Sequence, residues 1–218
     1  AQKVIELRQQ LAAKGIELLV AVVPDKSRIV ADQRCGIARS SRLDERAQQW
    51  LTVVQAAGVA SLDLAPQLQP LGDAAFLRTD THWSEKGADI AAQAIAARVA
   101  TLGIEAVPAT QFSATLGEPA RRPGDLVRLA GLDWLPLPLQ PQSESVSATQ
   151  FQEVVDETSD ALLGEDDLFG DSQLPNITVI GTSFSRNSNF IAFLERALNA
   201  RVGNFALDGG EFSGAAKA

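Results

Sequence analysis

Residues 3–23 read Lys3-Val4-Ile5-Glu6-Leu7-Arg8-Gln9-Gln10-Leu11-Ala12-Ala13-Lys14-Gly15-Ile16-Glu17-Leu18-Leu19-Val20-Ala21-Val22-Val23, and they decide the fold class. Val4, Leu7 and Leu11 recur at helical spacing, and Gly15 follows as a C-cap. Ile16 to Val23 is then an apolar run of the kind a central parallel strand shows when both its faces are buried. Pro24-Asp25-Lys26 ends it. The pattern repeats: residues 43–57 predict an amphipathic helix closed by Gly58, and Val59 to Leu64 a short strand. Helix and strand in alternation predict an α/β fold, a doubly wound and mostly parallel sheet with flanking helices.

Further along, Ala74 to Leu77 leads into Arg78-Thr79-Asp80-Thr81-His82-Trp83, after which Ser84 caps a helix running to about Leu102. The alanine-rich stretch Ala88 to Ala100 suits close packing on a sheet. Residues 108–173 read as an irregular insertion with a few short helices, interrupted by Pro119, Pro123, Pro136, Pro138 and Pro141. Ile177 to Ile180 resumes the sheet, Ser185 to Asn199 predicts a helix and Val202 to Leu207 a last strand. The 218 residues are expected to form a single domain.

The net charge of −8 is unevenly spread: residues 141–173 hold nine acids and no Lys or Arg, so the rest of the chain is close to neutral. Phosphate contacts need a basic patch, so nucleic acid is not an expected partner. No apolar stretch reaches the roughly 18–20 residues that span a bilayer. The sequence opens at Ala1 without methionine, which is compatible with a removed targeting segment. A single cysteine and a single histidine cannot supply the usual zinc ligand set, and neither metal nor cofactor is expected. Cys35 reads as a small buried or half-buried residue.

The lone histidine, His82, is therefore the one imidazole that could serve as a general base near neutral pH. Asp80, two residues before it in an extended segment, would point to the same side and steady the ring. The competing reading makes Asp80 an Asx-turn and leaves His82 exposed. Trp83 is expected in the core. About a hundred residues on, the strand Ile177–Ile180 runs into Gly181-Thr182-Ser183-Phe184-Ser185 and lifts Ser183 to the carboxyl edge of the sheet. A helix N-terminus there stabilises a developing oxyanion; alternatively Ser183 or Ser185 caps the helix, or the turn cradles an anion. Ser185 stands where the G-x-S-x-G elbow has its second glycine. Together the two motifs predict a Ser183, His82, Asp80 catalytic site. Lys26, Arg78 and Arg186 read as structural charges that hold loops.

The segments Arg78-Thr79-Asp80-Thr81-His82-Trp83-Ser84 and Gly181-Thr182-Ser183-Phe184-Ser185 resemble the alginate O-acetyltransferase family of AlgJ and AlgX type, on the AlgJ side of it. Val23-Pro24-Asp25-Lys26 and Pro123-Gly124-Asp125-Leu126 look like family segments between the same elements. The resemblance implies an SGNH-hydrolase-like fold with permuted motif order, the Asp/His block preceding the serine block. It implies Ser183 as nucleophile, His82 as base and Asp80 as orienting acid, in transfer of acetyl to hydroxyls of an exopolysaccharide, alginate. Implied partners are the mannuronate polymer or an acetyl-carrying protein, a membrane-bound O-acyltransferase as acetyl supplier, and other periplasmic acetylation proteins. The implied setting is the periplasm, with a tether to the inner membrane outside this sequence. The resemblance assigns no residue as the second oxyanion donor; Asn187 and Asn189 lie near enough to consider.

Two other functions fit the same residues. Water as the acceptor would make the chain a polysaccharide acetylesterase. An inactive scaffold module of an export complex would instead use the former catalytic cleft or the acidic 141–173 stretch as a docking surface.

Overall fold

A computed structural model describes residues 1–154 and 174–209. In chain order the main elements are α1 (Gln2–Ala12), β1 (Leu19–Val22), α2 (Lys26–Ile29), α3 (Ser41–Ala56), β2 (Ala60–Asp63), α4 (Ala65–Leu68), α5 (Glu85–Thr101), β3 (Phe112–Arg122), α6 (Asp125–Leu129), β4 (Glu144–Glu153), β5 (Thr178–Gly181), α7 (Ser183–Arg186), α8 (Phe190–Leu198) and β6 (Gly203–Ala206). Short 3-10 turns cover Ala31–Arg34, Gln69–Ala75 and Leu137–Leu139.

The α/β class holds, and both β1–β2 and β5–β6 are parallel. The single broad sheet expected from the alternation is not what pairs. Among the described residues, β1 bonds only β2 and β5 only β6, while β3 and β4 form a separate antiparallel ribbon. With one hydrogen-bonded neighbour, β1 is half-buried rather than covered on both faces. It also starts later than its apolar run. Ile16 is exposed and its N–H donates to Leu11 O at 3.0 Å. Gly15 takes φ +72° to allow this, so Ile16 completes the exit of α1.

The core lies where α5 meets α8. The small face of α5 (Ala88, Ala91, Ala92, Ala96) is buried with Phe190, Phe193, Leu194 and Trp83. That alanine face therefore admits a helix at close range, not the sheet that the sequence suggested. Gly87 extends it: a Cβ there would stand 2.1 Å from Ala75 O. A smaller cluster, Val4, Val54 and Val59, seals α1 and α3 against β1 and β2.

Three further expectations change. The 108–173 insertion does contain short helices, but its described part is dominated by the long strands β3 and β4, with a register shift between Leu116 and Pro119. The helix expected over 185–199 is broken into α7 and α8 at Asn187–Asn189. Ser188 (φ +54°) and Asn189 (φ +55°) are left-handed there, and their side chains bond elsewhere instead of extending the helix. Cys35 is exposed, held at φ +51° behind the Ala31–Arg34 turn.

Candidate active site

Asp80 and His82 lie in a tight bend between Leu77 and Trp83. The bend is closed from both sides, since Leu77 N–H donates to His82 O at 3.1 Å and Phe76 bridges Trp83. Asp80 Oδ1 accepts the His82 backbone N–H at 2.9 Å and faces the ring Nδ1 at 2.6 Å. The Asx-turn and the ring contact, set against each other as readings of the sequence, are thus made by one oxygen. His82 is buried, and its Nε2 lies 2.8 Å from Ser183 Oγ. The structure therefore brings the three residues into one row, with residues 101 positions apart in direct contact.

The electrostatics of the row follow from its burial and its hydrogen bonds. Burial pushes the Asp80 carboxyl up, but hydrogen bonds from the His82 ring and backbone, with the charges of His82 and Arg122, outweigh it and bring it down to about 2. An ionised Asp80 on Nδ1 selects the tautomer that presents a bare Nε2 to the serine hydroxyl. Phe184 stacks obliquely on the imidazole at 5.0 Å, and Trp83, in the core as expected, meets Phe184 edge-on at 5.2 Å. The ring's flank is apolar while its nitrogens are both engaged.

Ser183 opens α7 directly after β5. First-turn N–H groups of a helix have no acceptor within it, and in α7 these include those of Ser183 and Phe184. Gly181 permits the turn: a Cβ there would lie 1.8 Å from Ser185 Oγ, because Ser185 folds back over the strand end. Gly181, the first glycine of the elbow pattern, thereby makes room for Ser185 where the second glycine would stand. Of the two asparagines, Asn187 donates its amide to Ser183 O at 2.8 Å, and Asn189 donates to Glu85 Oε1 and Thr149 O, both at 2.8 Å.

The Asp/His bend is carried by groups the sequence reading set aside or missed. Lys26 donates to the carbonyls of Leu77, Arg78 and Asp80 at 2.5, 2.8 and 2.9 Å, a loop-holding role that matches the expectation. Burial draws its ammonium below the ordinary lysine range despite Glu144, Asp80 and Asp125 nearby. Arg78 donates to Gln142 O at 2.9 Å, and Arg186 stands 3.6 Å from the exposed Asp208 Oδ2. Glu144 accepts the backbone N–H of Arg78 and of Thr79, at 2.7 and 2.9 Å. Asp125 accepts Thr81 N–H at 2.7 Å and its hydroxyl at 2.5 Å. Gly124 brings Asp125 in, since a Cβ there would meet Thr79 O at 1.8 Å. Pro123-Gly124-Asp125 was the visible signal for this contact; Glu144 and Arg122 left none.

Asp80, His82 and Asp125 offer ligand atoms within 4.8 Å of one another. The closest oxygens already accept from His82 and Thr81, so the geometry is that of a hydrogen-bonded bend.

An α/β core that presents a serine after a strand, opposite an Asp-x-His bend, defines an SGNH-hydrolase-like domain. The chain belongs to the family described as "SGNH hydrolase-like domain, acetyltransferase AlgX", whose model matches residues 1–218. It is 37% identical over 213 residues to the probable alginate O-acetylase AlgJ of Pseudomonas aeruginosa, an alignment covering 93% of this chain and 53% of that protein. To the alginate biosynthesis protein AlgX of Pseudomonas syringae pv. tomato it is 28% identical, over 96% of this chain and 43% of the other. Among solved structures, the O-acetyltransferase domain of Pseudomonas putida AlgJ superposes with a TM-score of 0.79 at 28% identity, covering 98% of this chain and 72% of that one. The AlgJ side of the resemblance is thus the nearer of the two. The chain spans about half the length of the curated relatives it matches.

Proposed function

We propose that this chain carries acetyl on Ser183 and passes it to a hydroxyl of an exopolysaccharide of the alginate type. The observation that supports this best is the Asp80–His82–Ser183 row, at 2.6 and 2.8 Å, in a member of an acetyltransferase family. In the first half-reaction Ser183 Oγ attacks the acetyl carbonyl while His82 Nε2 takes its proton. The oxyanion that forms is stabilised by the N–H groups at the start of α7. Collapse expels the donor's leaving oxygen, which receives the proton back from His82, and leaves acetyl-Ser183. In the second half His82 Nε2 removes a proton from the acceptor hydroxyl, whose oxygen attacks the acetyl-serine. Collapse returns the proton to Ser183 Oγ. Asp80 stays ionised throughout and stabilises the imidazolium.

The setting that goes with this reading is the periplasm, with a membrane-bound O-acyltransferase supplying acetyl and other acetylation proteins alongside. No described helix is long and apolar enough to cross a membrane. Incubation with p-nitrophenyl acetate is expected to leave a 42-dalton adduct on Ser183, read by peptide mass spectrometry (one acetyl replacing one proton, ~42 Da). An unlabelled Ser183 in folded protein overturns the reading. Adding a mannuronate oligomer then separates acceptors: acetyl gained by the sugar supports the transferase, whereas acetate release alone, or loss of acetyl from an acetylated oligomer, makes the chain an esterase.

A further inference from the structure

The end of β3 places a guanidinium between the two halves of the site. We infer that Arg122 is a positioning residue, which registers the Ser183 turn against the Asp80/His82 bend; this rests on the acyl-transfer reading above. Arg122 Nη2 donates to Asn187 Oδ1 at 3.0 Å and stands 3.9 Å from Asp80 Oδ2. Asn187 in turn donates from Nδ2 to Ser183 O at 2.8 Å. A side-chain amide has one acceptor end and one donor end, so an arginine on its oxygen fixes the NH₂ end on the serine carbonyl. A single cation is thereby tied to the nucleophile's backbone and to the orienting acid.

The two oxygens of Asp80 divide the work. Oδ1 takes both His82 contacts, and Oδ2 is the one that faces Arg122. Arg122 is also paired in register with Glu144 on β4, the residue that holds the N–H groups of Arg78 and Thr79. One end of the β3–β4 ribbon therefore grips the Asp/His bend through Glu144 and the serine turn through Arg122. These two parts of the site come from sequence positions 101 residues apart, and only tertiary contacts hold them at 2.8 Å. Displacements of about 1 Å at a reacting centre cost on the order of 100-fold in rate. Among the described residues no hydrogen bond or ion pair joins Arg122 to Ser183 Oγ or the His82 ring, so its effect is exerted through Asn187 and Asp80.

The test measures the acylation rate constant with p-nitrophenyl acetate from the pre-steady-state burst, together with KM and the thermal midpoint. For Arg122→Gln the acylation rate is expected to fall roughly 10- to 100-fold with KM within about twofold and the midpoint near that of the parent. Arg122→Lys keeps the charge but loses the planar fork, so it should recover part of the loss and still lie at least about threefold below the parent. The double variant Arg122→Gln/Asn187→Ala should be no slower than the worse single, because the two side chains act in series. Parent-like acylation in Arg122→Gln or Arg122→Lys overturns the proposal, as do losses that multiply in the double variant. A raised KM with unchanged saturated rate would make Arg122 a substrate contact instead and equally overturn it. If Arg122→Gln does not fold, Arg122→Lys decides. Failure of the parent itself to form acetyl-Ser183 overturns the underlying function, and is seen before any variant is made.

Discussion

Asp80 meets His82 twice through one oxygen, and this has consequences at the scale of single residues. Its carboxyl sits at about 2 against an ordinary 3.8, a depressed value, so the stabilisation it gives is fully present above about pH 4 and is lost as pH falls toward 2. The difference in thermal midpoint between parent and Asp80→Asn is therefore expected to be constant above pH 4 and to shrink between pH 4 and 2; a difference that persists unchanged at pH 2 would count against the ion pair. At neutral pH, Asp80→Asn should lower acylation on the order of 10³- to 10⁴-fold, by allowing the wrong tautomer. Ser183→Ala and His82→Ala should each reduce it to the residual level, and the double variant should be no worse, because the groups act as a unit. Much of this was legible in the sequence. Asp-x-His was readable as a pair because a side chain two residues away is in reach, although the backbone is a bend and not the extended segment expected. Arg122 and Glu144 were not readable. Nothing local marks an arginine in a strand as facing a carboxylate 42 residues earlier in the chain, at Asp80.

Elements place those residues through close backbone approaches that only small residues allow. Gly124 lets the Pro123–Asp125 turn lie on Thr79, where Leu126 N–H donates to Thr79 O at 3.1 Å. Gly124→Ala is expected to destabilise by about 1–3 kcal/mol and to reduce acylation as well, since Asp125 would be pushed off Thr81; urea unfolding and burst kinetics on the same protein check both. Midway along the ribbon, Glu85 Oε2 accepts Thr149 N–H at 2.8 Å, while Asn189 joins Glu85 Oε1 to Thr149 O. This three-element knot anchors β4 to the starts of α5 and α8. Asn189→Ala removes two of its bonds and should cost about 1–3 kcal/mol, with the larger share of faster hydrogen exchange along β4. The helices and the parallel strands were legible because caps and apolar runs are local signals: Gly15, Gly58 and Ser84 all end or begin helices where expected. The β3–β4 ribbon was not. Pro119 argued against a strand, yet it sits at the register shift, where a missing N–H costs little. The break between α7 and α8 was hidden for the opposite reason, since its apolar periodicity continues while the side-chain bonds of Asn187, Ser188 and Asn189 redirect the backbone.

For the molecule as a whole, the uneven charge is the remaining feature to place. Seven of the nine acids in residues 141–173 lie outside the described residues; the other two, Glu144 and Glu153, are in β4, and Glu144 has the specific task of holding the Arg78–Thr79 backbone. Burial pushes its carboxyl up, but those N–H donors and the Arg78 charge bring it below the usual glutamate range, so it remains charged while it holds the bend. Every contact of the Asp80–His82–Ser183 row described above is made by residues 26, 77–82, 122–125, 144 and 183–187. The flanks of the undescribed stretch are fastened independently of it: Val154 N–H donates to Gln111 O at 2.9 Å and Asn176 N–H to Val107 O at 3.1 Å, only four positions apart on the receiving segment. Replacing residues 155–173 by a short Gly/Ser linker is therefore expected to leave acetyl-Ser183 formation within about twofold of the parent, because loop replacement at anchored ends changes closure entropy by little. The same variant discriminates the scaffold alternative, under which partner binding would survive Ser183→Ala and vanish with the acidic stretch. A collapse of acylation in the linker variant, with the thermal midpoint retained, would mean that the acids take part in the chemistry and that the row alone is not sufficient.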